Sequence, residues 1–223
     1  MKQILLITAL FLSAFLNAQN LNGSWLNKNN GLTELILIQD NYLTHTLFSA
    51  TEFIESNGGA VRIQNGKIIL SQEFNSKGEE LKTLDLFFKL EGDFLYLNGK
   101  EFKATASNQS QLAGVWKISG RMQDGKQVEI NHTGSRKTLK LLSGNYFQWF
   151  AIDPAENKFY GTGGGTFSFD GGKYIENIEF FSKDSSRVGA SLNFEDRIEN
   201  EQWIHTGLSS KGEPIYEIWS KAL

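Results

Sequence analysis

Gly23-Ser24-Trp25 and Gly114-Val115-Trp116 open two stretches of this chain that then run in register. Leu35-x-Leu37 before Asn41-Tyr42 returns as Leu139-x-Leu141 before Asn145-Tyr146. Gly59, Gly66-Lys67 and Glu73-Phe74 return as Gly165, Gly172-Lys173 and Glu179-Phe180, and Leu86-x-Phe88 returns as Leu192-x-Phe194. A recurrence that keeps its order over this length marks a duplicated folding unit, and each copy has to close its own core. The 223 residues therefore divide into an N-terminal segment, 1–18, and two units, 19–105 and 106–223.

Both units read as antiparallel β-structure. In the first, short alternating runs are expected at Leu32–Ile38, Tyr42–Phe48, Ala60–Ile63, Lys67–Phe74, Leu81–Leu90 and Phe94–Leu97, with Asn57-Gly58-Gly59 and Asn65-Gly66 among the separators. Asn-Gly between apolar runs is a strong hairpin signal, because a type I′ turn needs positive φ at both central residues. The second unit repeats the plan at Thr138–Leu142, Tyr146–Ile152, Thr166–Phe169, Lys173–Phe181, Gly189–Phe194, Gln202–Gly207 and Ile215–Trp219. The small, polar stretch Ala104–Gln111 reads as the linker. No segment sustains a helical period. Seventeen Phe, six Tyr and five Trp supply bulky, β-prone side chains. The chain is predicted to be all-β: two tandem up-and-down barrels behind a signal peptide.

That signal is read from Lys2, the apolar run Ile4–Leu16, and Leu16-Asn17-Ala18, with cleavage after Ala18 expected to leave Gln19 first. The run is too short for a confident membrane span. With no cysteine there is no lipid-anchored N-terminus and no disulfide, so the mature protein is expected in a periplasm or the medium, without a membrane anchor. A net charge of −3 and the lack of a basic patch, since Arg136-Lys137 with Lys140 are too few to make one, argue against nucleic acid as a partner.

Gly-x-Trp at the head of a meander, repeated hairpins, and a last strand with an aromatic and a basic residue (Glu217-x-Trp219-x-Lys221) resemble the lipocalin/calycin group. The second unit, from Gly165-Thr166-Phe167 through Tyr174-Ile175-Glu176 to Glu217-Ile218-Trp219, is similar to a lipocalin-like family found in secreted bacterial proteins. The resemblance implies that Trp25 and Trp116 plug the closed ends of the barrels, each beneath a basic side chain: Lys103 in the first unit and Lys221 in the second. The first unit departs from the pattern, with Glu101-Phe102-Lys103 in place of a Trp-bearing last strand, so the pocket is expected in the second.

Period-two alternation places Tyr174, Glu176, Ile178 and Phe180 on one face of their strand and Ile175, Asn177, Glu179 and Phe181 on the other. Trp203 with His205, and Glu217 with Trp219, share faces of the next strands. Tyr174, Glu176, Trp203, His205, Glu217 and Trp219 therefore form the candidate ligand-binding set. Three histidines (His45, His132, His205) on separate elements and the absence of cysteine give no metal site. Gly161–Gly165 lacks the following helix that a phosphate loop needs and reads as a hairpin or mouth loop. No catalytic residue and no cofactor are expected. The leading expectation is a secreted protein holding a small, partly apolar ligand, lipid-like or saccharide, in the second barrel. Alternatives are dehydratase- or isomerase-type acid–base chemistry with Tyr174, His205 and Glu176, and a ligandless structural spacer. Haem on His205 enters through the resemblance to nitrobindin-type barrels.

Overall fold

A computed structural model describes residues 20–105, 110–130 and 133–222. The N-terminal segment 1–18 read as a signal, residues 106–109 of the linker and His132 lie outside the described residues. The first unit comprises β1 (Gly23–Asn29), β2 (Leu32–Gln39), β3 (Tyr42–Ser49), β4 (Phe53–Gln64), β5 (Lys67–Asn75), β6 (Thr83–Glu91), β7 (Phe94–Leu97) and β8 (Lys100–Ala104). Each strand pairs with the next, and β1 closes on β8 to make an eight-stranded antiparallel barrel. The second unit comprises β9 (Gly114–Gln123), β10 (Lys126–Glu129), β11 (Lys137–Ser143), β12 (Tyr146–Asp153), β13 (Lys158–Asp170), β14 (Lys173–Phe181), β15 (Ser191–Glu199), β16 (Gln202–Leu208) and β17 (Pro214–Lys221). Here β9 pairs with both β11 and β17, closing a second eight-stranded barrel, while β10 is a hairpin partner on the far half of β9. Closure leaves neither ring with an open edge.

The turns follow from local chemistry. Asn65 and Gly66 take φ of 51° and 71°, and Asn98-Gly99 and Asp124-Gly125 do the same, as type I′ hairpins require. The structure corrects the sequence reading at two glycine runs. Gly58 and Gly59 do not break a strand, and Gly161–Gly165 is not a mouth loop; both runs lie inside the long strands β4 and β13. Their glycines are there for close approach. A Cβ on Gly59 would stand 2.0 Å from Ser71 O, and one on Gly165 would stand 2.0 Å from Asn177 O.

At the same place in each barrel the register slips by one residue. Gly59 faces Gln72 and Gly58 faces Phe74, leaving Glu73 as a bulge; Gly165 faces Ile178 and Gly164 faces Phe180, leaving Glu179 as its counterpart. A bulge reverses the faces beyond it. The expected alternation along β14 therefore ends at Glu179: Phe180 turns outward and Phe181 turns into the lumen. Phe74 turns outward likewise.

Those outward rings have a use. Phe48, Phe74, Tyr42, Leu35 and Leu37 of the first barrel pack against Phe150, Phe180, Tyr146, Leu139 and Leu141 of the second in one buried cluster. Phe74 stacks on Phe150 at 5.0 Å and Phe48 meets Phe180 at 4.9 Å. Strand β2 is thus apolar on both sides, with Ile36 and Ile38 filling the lumen and Leu35 and Leu37 facing the partner barrel. Each such side chain removed from water contributes about 1.5–3 kcal/mol, so the two barrels form one packed body.

Polar bonds key the interface. Gln148 Nε2 donates to Ser56 Oγ and Thr162 Oγ1, both at 3.0 Å, while Thr46 Oγ1 donates to Gln148 Oε1 at 3.2 Å. Each bulged glutamate receives a tyrosine: Tyr42 Oη donates to Glu73 at 2.7 Å, and Tyr146 Oη to Glu179 at 3.3 Å. Lys137 of the second barrel pairs with Glu73 of the first at 2.8 Å.

Gly164→Ala should destabilise the protein by about 1–3 kcal/mol, because its Cβ would sit 2.4 Å from Phe147 O and 2.6 Å from the Phe180 ring. Gly134→Ala, with open space around it, should leave thermal unfolding unchanged. Equal melting temperatures for the two variants would refute the close-approach reading.

Candidate polar lumen of the second barrel

Barrel closure is asymmetric between the copies. Trp116 donates Nε1–H to Leu112 O at 2.8 Å, and Trp25 donates to Leu21 O at 3.3 Å. Lys221 stands directly across from Trp116 and puts Nζ 4.1 Å from its ring centroid. In the first barrel the residue across from Trp25 is Ala104, not Lys103. Lys103 pairs with Leu26, shares that residue's face and is exposed, so the expected Lys103–Trp25 contact is not made.

Strands β15, β16 and β17 lie side by side, and their register sets Asp196, His205 and Glu217 in one row across the inner wall. Two residues further along sit Trp203 and Trp219, also paired. From β14 come Tyr174 and Glu176, and from β11 comes Lys140. Glu176, His205, Glu217 and Trp219 line a cavity of about 230 Å³ together with Lys140 and Trp149. Tyr174 and Trp203 pack behind that wall, fully buried within the aromatic core. The structure therefore brings the six sequence-derived residues together, four at the cavity and two beneath it.

Two residues of this site escaped the sequence reading. Lys140 is not part of a surface basic cluster: it is 4% exposed, and its Nζ meets Glu176 Oε1 at 2.8 Å. Four rings surround that ammonium, the nearest being Trp203 at 5.0 Å and Trp219 at 5.4 Å. The signal was present, since Lys140 interrupts the apolar run Leu139–Leu142 at the position where the first unit has Ile36. Asp196 is the second. It receives Trp203 Nε1–H at 2.8 Å and lies 3.0 Å from His205 Nδ1 through both oxygens.

Burial governs the electrostatics of the pair. It pushes the Asp196 carboxyl up to about 7, against the Trp203 N–H and the Lys140 charge, which favour the ionised form. Burial, with the Lys140 charge acting in the same direction, pushes His205 down to about 3. Burial also holds the Tyr174 phenol protonated far above its ordinary range. Its hydroxyl has no hydrogen-bond partner, which leaves an uncompensated buried polar group. Next to the row, Trp219 Nε1–H donates to Glu217 Oε2 at 3.1 Å. Among the described residues no cluster of three or more His, Asp or Glu is arranged to hold a metal ion.

The first barrel has a cavity of its own, about 360 Å³, and larger than the second's. The sequence favours the second unit for a pocket, and the first unit holds one as well. Its floor is apolar, with Ile36, Leu43, Leu70 and Phe102, and its wall carries Glu34 between His45 Nε2 (3.2 Å) and Lys100. The His45 hydrogen bond in particular draws the Glu34 carboxyl down to about 2. Where the second lumen has Lys140 and Glu176, the first has Ile36 and Leu70.

No protein-family model matches the chain, and no curated protein matches it. The two closed eight-stranded antiparallel barrels fit a lipocalin-like, calycin-type fold.

Two predictions follow from the buried charges. Removing one partner of a buried ion pair strands the other and costs about 3–5 kcal/mol, whereas an apolar pair of similar volume is close to neutral. Lys140→Ile and Glu176→Leu should each destabilise by about that amount, and the double variant should regain most of the loss in urea unfolding. Additive losses would contradict the ion-pair reading. The second concerns pH. His205, depressed in the folded state, contributes stability that is lost as pH falls below about 6.5; Asp196, raised in the folded state, contributes stability that is lost as pH rises from about 4 to 7. Together they cancel. Relative to wild type, Asp196→Asn should therefore gain stability with rising pH between 4 and 6.5, and His205→Gln should lose it, each by at most about 1.4 kcal/mol per pH unit. Slopes of the same sign would refute the assignment.

Proposed function

We propose that this is an exported, lipocalin-like binding protein that holds a small, partly apolar or glycan-like ligand in its second barrel. One observation carries the reading: five ionisable side chains, Lys140, Glu176, Asp196, His205 and Glu217, occupy or adjoin the lumen of a barrel whose sister copy fills the equivalent Lys140 and Glu176 positions with Ile36 and Leu70. Burying such groups opposes folding unless they are paired, and the sister barrel closes with apolar side chains at the Lys140 and Glu176 positions. A partly apolar cavity with a few convergent polar groups is the usual form of a small-molecule site. The apolar N-terminal run supports export, and the repeated Gly-x-Trp with Lys221 on Trp116 supports a place in the lipocalin/calycin group.

The oriented Asp196–His205 pair suggests a second reading, acid–base chemistry on a bound substrate, which the buried and weakly basic imidazole supports less well. Haem has little support here, because a cavity of about 230 Å³ lies below the range usual for drug-sized ligands and a macrocycle is larger still.

Native mass spectrometry of protein purified gently from the compartment it is exported to should show a reproducible extra mass that denaturation releases. The Lys140→Ile/Glu176→Leu variant should lose that mass. A bare mass for the wild-type protein would count against resident binding and in favour of turnover or a structural role.

A further inference from the structure

This inference rests on the binding reading and names the class of ligand. In the second lumen the charges do not balance. Lys140, the ammonium lining the cavity, is already paired with Glu176 at 2.8 Å and boxed by aromatic rings. His205 is buried with Nδ1 on Asp196, and burial together with the Lys140 charge keeps its imidazole neutral, so it offers no positive charge to a guest. Glu217 stands beside His205 in the row with one oxygen on the Trp219 N–H, and no cation among the described residues lies within ion-pair distance of it. Its strand partner Arg121 is exposed and bonded to Gln123 instead. Around Glu217 the cavity wall carries Trp219, Trp149, Phe181 and Phe194.

A carboxylate without a counter-ion next to aromatic faces is a setting for a guest cation, which gains both the ion pair and attraction to the rings. An anionic guest would meet Glu176 and Glu217 with the nearby ammonium already committed. At about 230 Å³ the space suits a small molecule. We propose that the second barrel selects a small organic cation, an aromatic or aliphatic amine whose ammonium sits on Glu217 and whose apolar part lies against the Trp and Phe side chains.

The test is a series of near-isosteres that differ in charge: phenethylammonium, 2-phenylethanol and 3-phenylpropanoate, titrated into the full mature protein by calorimetry, with tryptophan fluorescence as a second readout. Phenethylammonium should bind at least about tenfold more tightly than the alcohol, and 3-phenylpropanoate should bind weakest. Glu217→Gln, which keeps an acceptor for the Trp219 N–H, should remove the advantage of the amine and leave the alcohol unchanged. If that variant fails to fold, the wild-type charge series and its loss with added salt decide the matter. Equal binding of amine and alcohol, or tighter binding of the carboxylate, would overturn the cation proposal while leaving the lumen as a binding site. If none of the three binds, the cation proposal also falls, and the native mass measurement then decides separately on the binding reading.

Discussion

The bulge at Glu179, with its counterpart at Glu73, is the constraint on which both the assembly and the lumen depend. By inserting one residue opposite the glycine pair it sends Phe180 outward into the inter-barrel core and Phe181 inward to the cavity wall. Without it the strict period of the strand would put Phe180 into the lumen and leave the interface without one of its main rings. The glycines are the other half of the device, because side chains at Gly164 and Gly165 would meet the Phe180 ring and the Asn177 carbonyl. Tyr146 on Glu179, and Tyr42 on Glu73, tie the two bulges across the glycine strand to the next strand but one by the same bond.

This explains why the two copies have kept the same scaffold while their interiors have diverged. The repeated features, Gly-x-Trp, the Leu-x-Leu pairs, the glycines and the Glu-Phe bulges, build the rings and the surface they share. The lumens carry no such common requirement. The first opens onto an apolar floor with Glu34, His45 and Lys100 on its wall, whereas the second holds Lys140–Glu176 and the Asp196–His205–Glu217 row. Groups buried at this depth oppose folding, and the barrel tolerates Lys140, Glu176, Asp196 and His205 because each is paired, whereas the half-buried Glu217 has no counter-ion among the described residues. That exception is where a ligand would have most to add.

Much of this was legible in the chain. The duplication, the hairpin turns, the all-β class and the face shared by Tyr174 and Glu176 follow from spacing alone. What failed were inferences that treated local signals as independent of packing. Asn57-Gly58-Gly59 and Gly161–Gly165 look like turns because glycine usually permits a turn; here it permits contact between strands. Lys103 looks like the equivalent of Lys221 until the strand pairing shows Ala104 in that place. Lys140 looked like a surface charge beside Arg136 and Lys137, although its position within an apolar strand is the stronger signal. Asp196 carries no local mark, since its role comes from register with His205 across a hairpin.

The central claim is that the second lumen is a ligand site whose carboxylate without a counter-ion is Glu217. A crystal structure of the protein purified from its own compartment, without added ligands, tests it most directly. The account predicts density in the lumen for a small molecule whose polar end lies within hydrogen-bonding distance of Glu217 and whose body packs on Trp149 and Trp219. A lumen closed by those two tryptophans and Phe181, with Glu217 turned to solvent, would contradict it.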